Sequence, residues 1–217
     1  MARQISVEVY KFDELDEQAQ AHALEKFRYS SVDYSDWCEF VLDDIDTLAE
    51  CLGIAIAPRS HNSTDKTIHT RQPEIQYNLD DNYRTFVFEG TYTYSKQWRD
   101  KVVHKYGKPQ GKLQKFLNEW HRLQVSIQKP AFYQIVSDIK VHYFGGQRMG
   151  LWLNTSYADG RGTTREQDNA VRELLELFCD YALDMLDTEY EYRTSDEQVA
   201  EHIRINEYEF TEDGELV

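Results

Sequence analysis

Ten carboxylates fall into two series whose spacing would gather each on one side of a helix. Asp36, Glu39, Asp43, Asp46 and Glu50 follow one another at intervals of 3, 4, 3 and 4 residues. Glu173, Glu176, Asp180, Asp184 and Asp187 follow at 3, 4, 4 and 3. Residues three and four apart are neighbours on an α-helix, so like charges there repel, each pair costing about 0.2–0.5 kcal/mol. Neither series has a Lys or Arg interleaved to relieve it. A rod of five carboxylates offers one kind of chemistry. It can imitate a nucleic-acid backbone and attract proteins that grip phosphates through Lys and Arg. The competing reading is a solvated face kept for solubility. These ten residues are the candidate partner-binding set.

Other reactive side chains give weaker patterns. The seven histidines, His22, His61, His69, His104, His121, His142 and His202, show no HxH or HExxH spacing. A metal site would need such clustering. His61 and His69 are read as loop surface. Cys38, Cys51 and Cys179 are odd in number and lack CxxC spacing, which points to buried free thiols in a reducing compartment. There is no GxSxG and no Walker-type loop. Gly160-Arg161-Gly162-Thr163-Thr164 stands before a predicted helix, where backbone N–H groups can hold an anion, but a plain connection is favoured. The expectation is a non-enzymatic protein without a cofactor.

The charge that surrounds these residues is uneven. The chain of 217 residues carries a net −15. Residues 1–57 hold 13 acids against four Lys and Arg, and residues 187–217 hold 11 against two. Residues 95–130 reverse the balance, with nine Lys and Arg against two acids and with Trp98, Tyr106 and Trp120 interleaved. A whole-molecule field of this sign opposes nucleic acid. The basic segment is therefore read as a solvated face or as one paired with the chain's own acidic helices. No apolar run approaches the roughly 18 residues of a membrane span. The opening residues lack an apolar signal region, so a soluble, intracellular protein is expected.

The elements that position these groups follow from periodicity. Ile5, Val7 and Val9 alternate as a first strand, and Asp13 opens a helix reaching Tyr29. A second helix runs from Tyr34 to Leu52, with Trp37, Val41, Ile45, Leu48 and Leu52 on one face and Asp33 as its cap. Residues 58–73 are polar and aperiodic, which predicts a long loop. Ile75, Tyr77 and Leu79, then Phe86, Phe88, Gly90, Tyr92 and Tyr94, predict a hairpin turning at Asp80-Asp81-Asn82. Helices follow at 96–106 and 110–127. Two further strands carry Tyr133, Ile135, Ile139, Val141 and Tyr143, and Met149, Leu151, Leu153 and Tyr157, joined at Gly145-Gly146. A long helix spans 164–188, and Thr194 with Glu197 has capping-box spacing for a last one. The fold predicted is a single α+β domain over 1–217, with a four-stranded antiparallel sheet, helices packed on one face, and an acidic C-terminal tail from about 190.

Four segments carry a resemblance. YKFDELDEQAQAHALEKFR, DYSDWCEFVLDDIDTLAECLGI, FEGTYTY and EYEYRTSDEQVAEHIRINEYEFTEDGELV resemble a family of small proteins of tailed bacteriophages and prophages. NEYEFTEDG is the most specific piece. Some members are labelled antitoxin. Many carry a Gly- and Ser-rich SGFxSQGDGA-like stretch before the FEG strand. Here that region reads IQYNLDDNYRTFVFEG, so a function tied to that stretch does not carry over.

The resemblance implies a phage accessory protein acting in the host cytoplasm. With the carboxylate series, it leads to an expected function of binding and inhibiting a basic host antiviral or toxin protein. Two alternatives stand beside it. One is a small-ligand binder or enzyme using a sheet rich in Tyr92, Tyr94, Tyr133 and Trp152. The other is direct nucleic-acid binding through residues 96–129.

Overall fold

The computed structural model describes residues 8–33, 35–63, 66–126, 133–144 and 149–217. In chain order they form strand β1 (Tyr10–Lys11), helices α1 (Glu17–Phe27) and α2 (Glu39–Leu52), and strands β2 (Ile54–Ile56), β3 (Pro58–Ser63) and β4 (Lys66–Pro73). Strands β5 (Ile75–Asn78), β6 (Thr85–Phe88) and β7 (Gly90–Thr93) precede helices α3 (Trp98–Tyr106) and α4 (Gly111–Ser126). Strands β8 (Ile135–Tyr143) and β9 (Met149–Tyr157), helices α5 (Arg165–Arg193) and α6 (Asp196–Ile205), and strand β10 (Glu209–Phe210) complete the α+β arrangement. Contacts divide the chain into two units, Val41–Met185 and Met1–Phe40 with Leu186–Val217.

The larger unit is built on a four-stranded antiparallel sheet in the order β2-β7-β8-β9. Register places Ile54, Tyr92, Ser137 and Thr155 in one row, and Ile56, Gly90, Ile139 and Leu153 in the next. Ile54, Tyr92, Ile135, Ser137 and Ile139 are buried, while Thr91, Asp138, Lys140, Trp152 and Asn154 are exposed. One face is therefore the core and the other is open. Helices pack on the buried face. Trp120 of α4 meets the Tyr92 ring edge-on at 6.2 Å, and Phe178 of α5 meets Phe88 of the adjoining strand β6 at 5.7 Å. The predicted faces of β8 and β9 meet as expected, with Ile139 opposite Leu153 and Val141 opposite Leu151.

Sheet membership differs from the prediction. The hairpin at 75–88 forms, with Asp80 Oδ1 accepting from Asn82 N at 2.8 Å in its turn, but β5 and β6 make a sheet of their own. The predicted strand 86–94 breaks at Glu89. Phe86, Val87 and Phe88 are all buried, so β6 is covered on both sides and does not alternate. The fourth strand of the main sheet is instead β2, which begins as soon as α2 ends. Gly53 permits this at φ 90°, where a Cβ would come within 2.1 Å of the Thr93 carbonyl. The predicted loop 58–73 is also corrected. Its backbone forms the antiparallel pair β3–β4, whose polar residues lack the apolar alternation that marks a half-buried strand. Ile5, Val7, Tyr34 and the Gly145-Gly146 turn lie outside the described residues.

The smaller unit joins the two chain ends. Tyr10 pairs with Phe210 and Lys11 with Glu209. Phe12, Leu15, Ala19 and Ala23 form a core with Val199, Ala200, Ile203 and Phe210. The first helix opens later than predicted. Asp13 lies in a 3-10 turn, and Asp16 caps α1 by accepting from Gln18 N at 3.0 Å and Ala19 N at 2.8 Å. Helix α6 is capped by Ser195 rather than Thr194, whose hydroxyl donates to the Tyr190 carbonyl. The segment read as a tail from about 190 carries α6 and β10. Within NEYEFTEDG, Phe210 is fully buried and Gly214, at φ 84°, lies so close to α1 that a Cβ would come within 2.3 Å of the Ala19 carbonyl. Glu207 ends α6 at φ 53°, a conformation that suits glycine.

Two variants test the structural role of this closing segment by urea unfolding. Phe210→Ala should cost about 3 kcal/mol or more, because a fully buried ring leaves a cavity. Glu207→Gly should stabilise by up to about 1 kcal/mol, because it removes the left-handed penalty at a helix end.

Candidate acidic interface

Nearly all of the chain's net charge belongs to the smaller unit. Residues 1–40 and 186–217 hold 20 Asp and Glu against six Lys and Arg, a net of −14. Residues 41–185 hold 19 against 18, a net of −1. Each described Lys and Arg of the smaller unit is already in an ion pair. Lys11 meets Glu209 at 3.2 Å, Arg28 meets Asp196 at 2.8 Å, and Arg204 meets Asp13 at 2.8 Å. Arg193 meets Glu189 at 2.6 Å, and Lys26 meets Glu215. The hydrogen bonds from Arg204 to Asp13 hold that carboxyl below its usual range. Lys11, Lys26, Arg28 and Arg204 bind the two chain ends together, and the surplus acids keep their field.

The first carboxylate series divides between structural settings. Asp36 lies in a 3-10 turn (Ser35–Cys38) and Glu39 in the first turn of α2, both exposed in the smaller unit. Asp43, Asp46 and Glu50 continue along α2 in the larger unit, opposite the buried Ile45, Leu48 and Leu52. Among the described residues no cation lies within ion-pair distance of these three. Asp46 is half-buried. Its carboxyl is pushed up first by burial and then by the charges of Glu50 and Asp43. Helix α3 reaches α2 elsewhere. The Tyr106 hydroxyl donates to the Asp44 carbonyl at 3.0 Å, and the charges of Lys101 and Lys105 act on the Cys51 thiol. The first series is thus the uncompensated one.

The second series is compensated in part by neighbouring cations. Helix α4 runs antiparallel beside α5. Lys112 meets Asp184 at 3.1 Å, Phe116 stacks on Tyr181 at 4.3 Å, and the charge of Glu173 acts on Arg122. Arg172 reaches Glu176 at 4.0 Å. Asp180 is pushed up by partial desolvation and by Asp184. Asp187 is half-buried in the smaller unit. The relief comes from a neighbouring helix and from just outside the series, so no spacing within it could reveal it. The same contacts place part of the basic segment 96–129 against this protein's own acids. Lys129 lies outside the described residues.

The remaining candidates do not converge. Tyr92 is in the core and Trp152 is on the open face, so the two do not line one pocket. Tyr94 and Tyr133 pack against each other at 4.2 Å. Arg161 of the Gly160–Thr164 turn meets Asp159 at 2.8 Å and lies over the Tyr157 ring. Thr164 and Gln167 cap α5 reciprocally, at 2.9 and 3.3 Å. Cys38, Cys51 and Cys179 are buried free thiols, and burial pushes the Cys179 thiol far up. The side chains of His61 and His69 lie outside those described. Among the described residues, no group of three or more His, Cys, Asp and Glu could hold a metal, and no helix is long and apolar enough to cross a membrane.

Comparison with known proteins gives one match. Residues 37–196 fit the family described as Domain of unknown function (DUF8835), and the chain belongs to that family. The match ends before NEYEFTEDG. No curated protein and no solved structure matches the chain.

The setting of Asp46 makes its charge a cost to the fold. A carboxyl raised in the folded state takes its proton earlier there than in the unfolded chain, so ionisation above that pKa favours unfolding. Asp46→Asn should therefore stabilise at neutral pH by about 0.5 kcal/mol, the scale of relieved like-charge pairs. The gain should shrink as pH falls through the carboxylate range. Thermal melts of both proteins across pH check this.

Proposed function

We propose that this chain is a non-catalytic binder that occupies the phosphate-gripping surface of a basic protein. As a phage-encoded inhibitor of a host defence or toxin protein, it would act in the host cytoplasm. The observation that carries this reading is the net −14 of the smaller unit, whose described bases are already spent on ion pairs. Exposed ion pairs are worth roughly 0–1 kcal/mol each and leave the surplus charge to act at a distance. Such a field speeds encounter with a positive partner and rejects negative ones. The α2 carboxylates Asp43, Asp46 and Glu50 extend the same chemistry into the larger unit. Their mutual repulsion costs stability, and retaining that cost fits a role in binding. The resemblance to phage and prophage proteins supplies the setting. The α5 carboxylates Glu173, Glu176 and Asp184 contribute less, because α4 and Arg172 answer them.

Two charge-reversal sets separate the contributions. One replaces Asp36, Glu39 and Glu191, an exposed acid of α5 within the smaller unit, with Lys, and the other replaces Asp43, Asp46 and Glu50. Tagged protein captures partners from host cells at low and high salt, followed by mass spectrometry. A basic partner retained by the native chain should weaken by about tenfold or more with the first set and with salt. Capture that is indifferent to both sets and to salt would sink the electrostatic reading.

A further inference from the structure

A second surface of opposite character lies in the larger unit. Helices α3 and α4 meet at the short connection 107–110, and between them opens a pocket of about 230 Å³. Trp98, Val102 and Leu117 are buried in its wall. Val103 stands at its mouth, 51% exposed. Pro109, Gln114 and Asn118 complete the rim, with Gln114 donating to Asn118 at 2.8 Å. Arg99 also lines it, its guanidinium 5.2 Å from the centre of the Trp98 ring.

The electrostatics of the pocket favour an anion. It lies in the most basic segment of the chain: Arg99 lines it, Lys108 precedes Pro109 and Lys115 follows Gln114, against Asp100 beside Arg99 and Glu119, which is paired with Arg122. The first turn of α4 carries no acidic residue. Its free N–H groups therefore add positive potential. The size of the pocket narrows the ligand further. Small-molecule sites enclose roughly 300–1,000 Å³, and this space holds about one apolar side chain. The cations are spread along the chain rather than converging on one point. One apolar hole with dispersed positive charge matches an anchor residue flanked by acids.

We propose that the α3–α4 pocket docks an acidic peptide segment of a partner protein, inserting one aromatic or aliphatic side chain beside Trp98 and Leu117. The flanking acids of that segment pair with Arg99, Lys108 and Lys115. The net charge of the whole molecule is screened beyond roughly 8–10 Å at physiological salt, so the local field governs the docked peptide. This surface is independent of the acidic one. Its failure would leave the acidic reading standing, and the reverse holds too.

The test is fluorescence polarisation with the intact chain and labelled nonapeptides of Asp and Glu around a central Phe or a central Ala. The Phe peptide should bind saturably, and the Ala peptide about tenfold more weakly, as loss of an apolar anchor requires. Val103→Glu and Arg99→Glu should each weaken the Phe peptide by about tenfold with an unchanged melting temperature. Lys140→Glu makes the same charge change on the open sheet face and should leave binding within about twofold. The proposal is overturned by equal binding of the two peptides or by absence of saturable binding. It is overturned equally if Lys140→Glu weakens binding as much as Arg99→Glu does, or if Val103→Glu has no effect.

Discussion

An aromatic seam decides how the larger unit presents its charge. Phe86 and Phe88 meet Phe178 edge-on, Tyr92 meets Trp120, and Phe116 bridges Trp120 to a stacked Tyr181. These rings tie the sheet side of the core to α4 and α5. Large rings dominate buried area, and their preferred tilts limit rotation of the helices that carry them. Once Phe116 and Tyr181 stack, Lys112 and Asp184 are one turn away on each helix. The pairing of the basic helix with the acidic one is therefore a consequence of packing. It needs no ion-pair energy to drive it, which suits the small worth of exposed pairs.

Helix α2 shows the same logic without the relief. Ile45, Leu48 and Leu52 face the core, so Asp43, Asp46 and Glu50 take the other side. Helix α3 reaches α2 through the Asp44 carbonyl and the vicinity of Cys51. That leaves the three carboxylates beside one another. Burial of Asp46 makes the arrangement costly, and a solvated face kept only for solubility gains nothing from a half-buried acid. The two series look alike in sequence and differ in energy because different neighbours meet them.

That contrast marks where the sequence is readable. Local periodicity gave α4, α5, β8, β9 and the body of α2, because their apolar faces repeat within each element, but α2 starts at Glu39 after a 3-10 turn and not at Tyr34 behind an Asp33 cap. The α2 carboxylates were legible for the same reason. What escaped depends on pieces distant in the chain. Strand β2 is three residues long, too short for a periodic signal, and joins the sheet because Gly53 allows close approach to β7. The β3–β4 pair is polar, so no alternation announces it. Asp13 and Thr194 carry the right chemistry for caps, yet the helices start at Asp16 and Ser195, a shift that spacing alone does not resolve. Pairing of the basic segment with the chain's own acids was one expectation, but which helix Lys112 meets depends on packing between distant segments.

The chain ends give the sharpest case of a through-space fact. Two acidic termini, separated by most of the sequence, form one unit with a shared apolar core. Like charge opposes that assembly, so burial must carry it. Phe12, Ala19, Ala23, Ile203 and Phe210 supply the burial, and the small side chains of α1 let Gly214 come against the Ala19 carbonyl. The bases then act as cross-links. Arg204 reaches Asp13, Lys11 reaches Glu209 and the Glu207 carbonyl, and Arg28 reaches Asp196 and the Thr194 carbonyl. Each joins the N-terminal arm to the C-terminal one. A fold that spends its bases on holding its ends together concentrates the remaining acids on a small body. It thereby presents a denser negative field than either terminus could present alone.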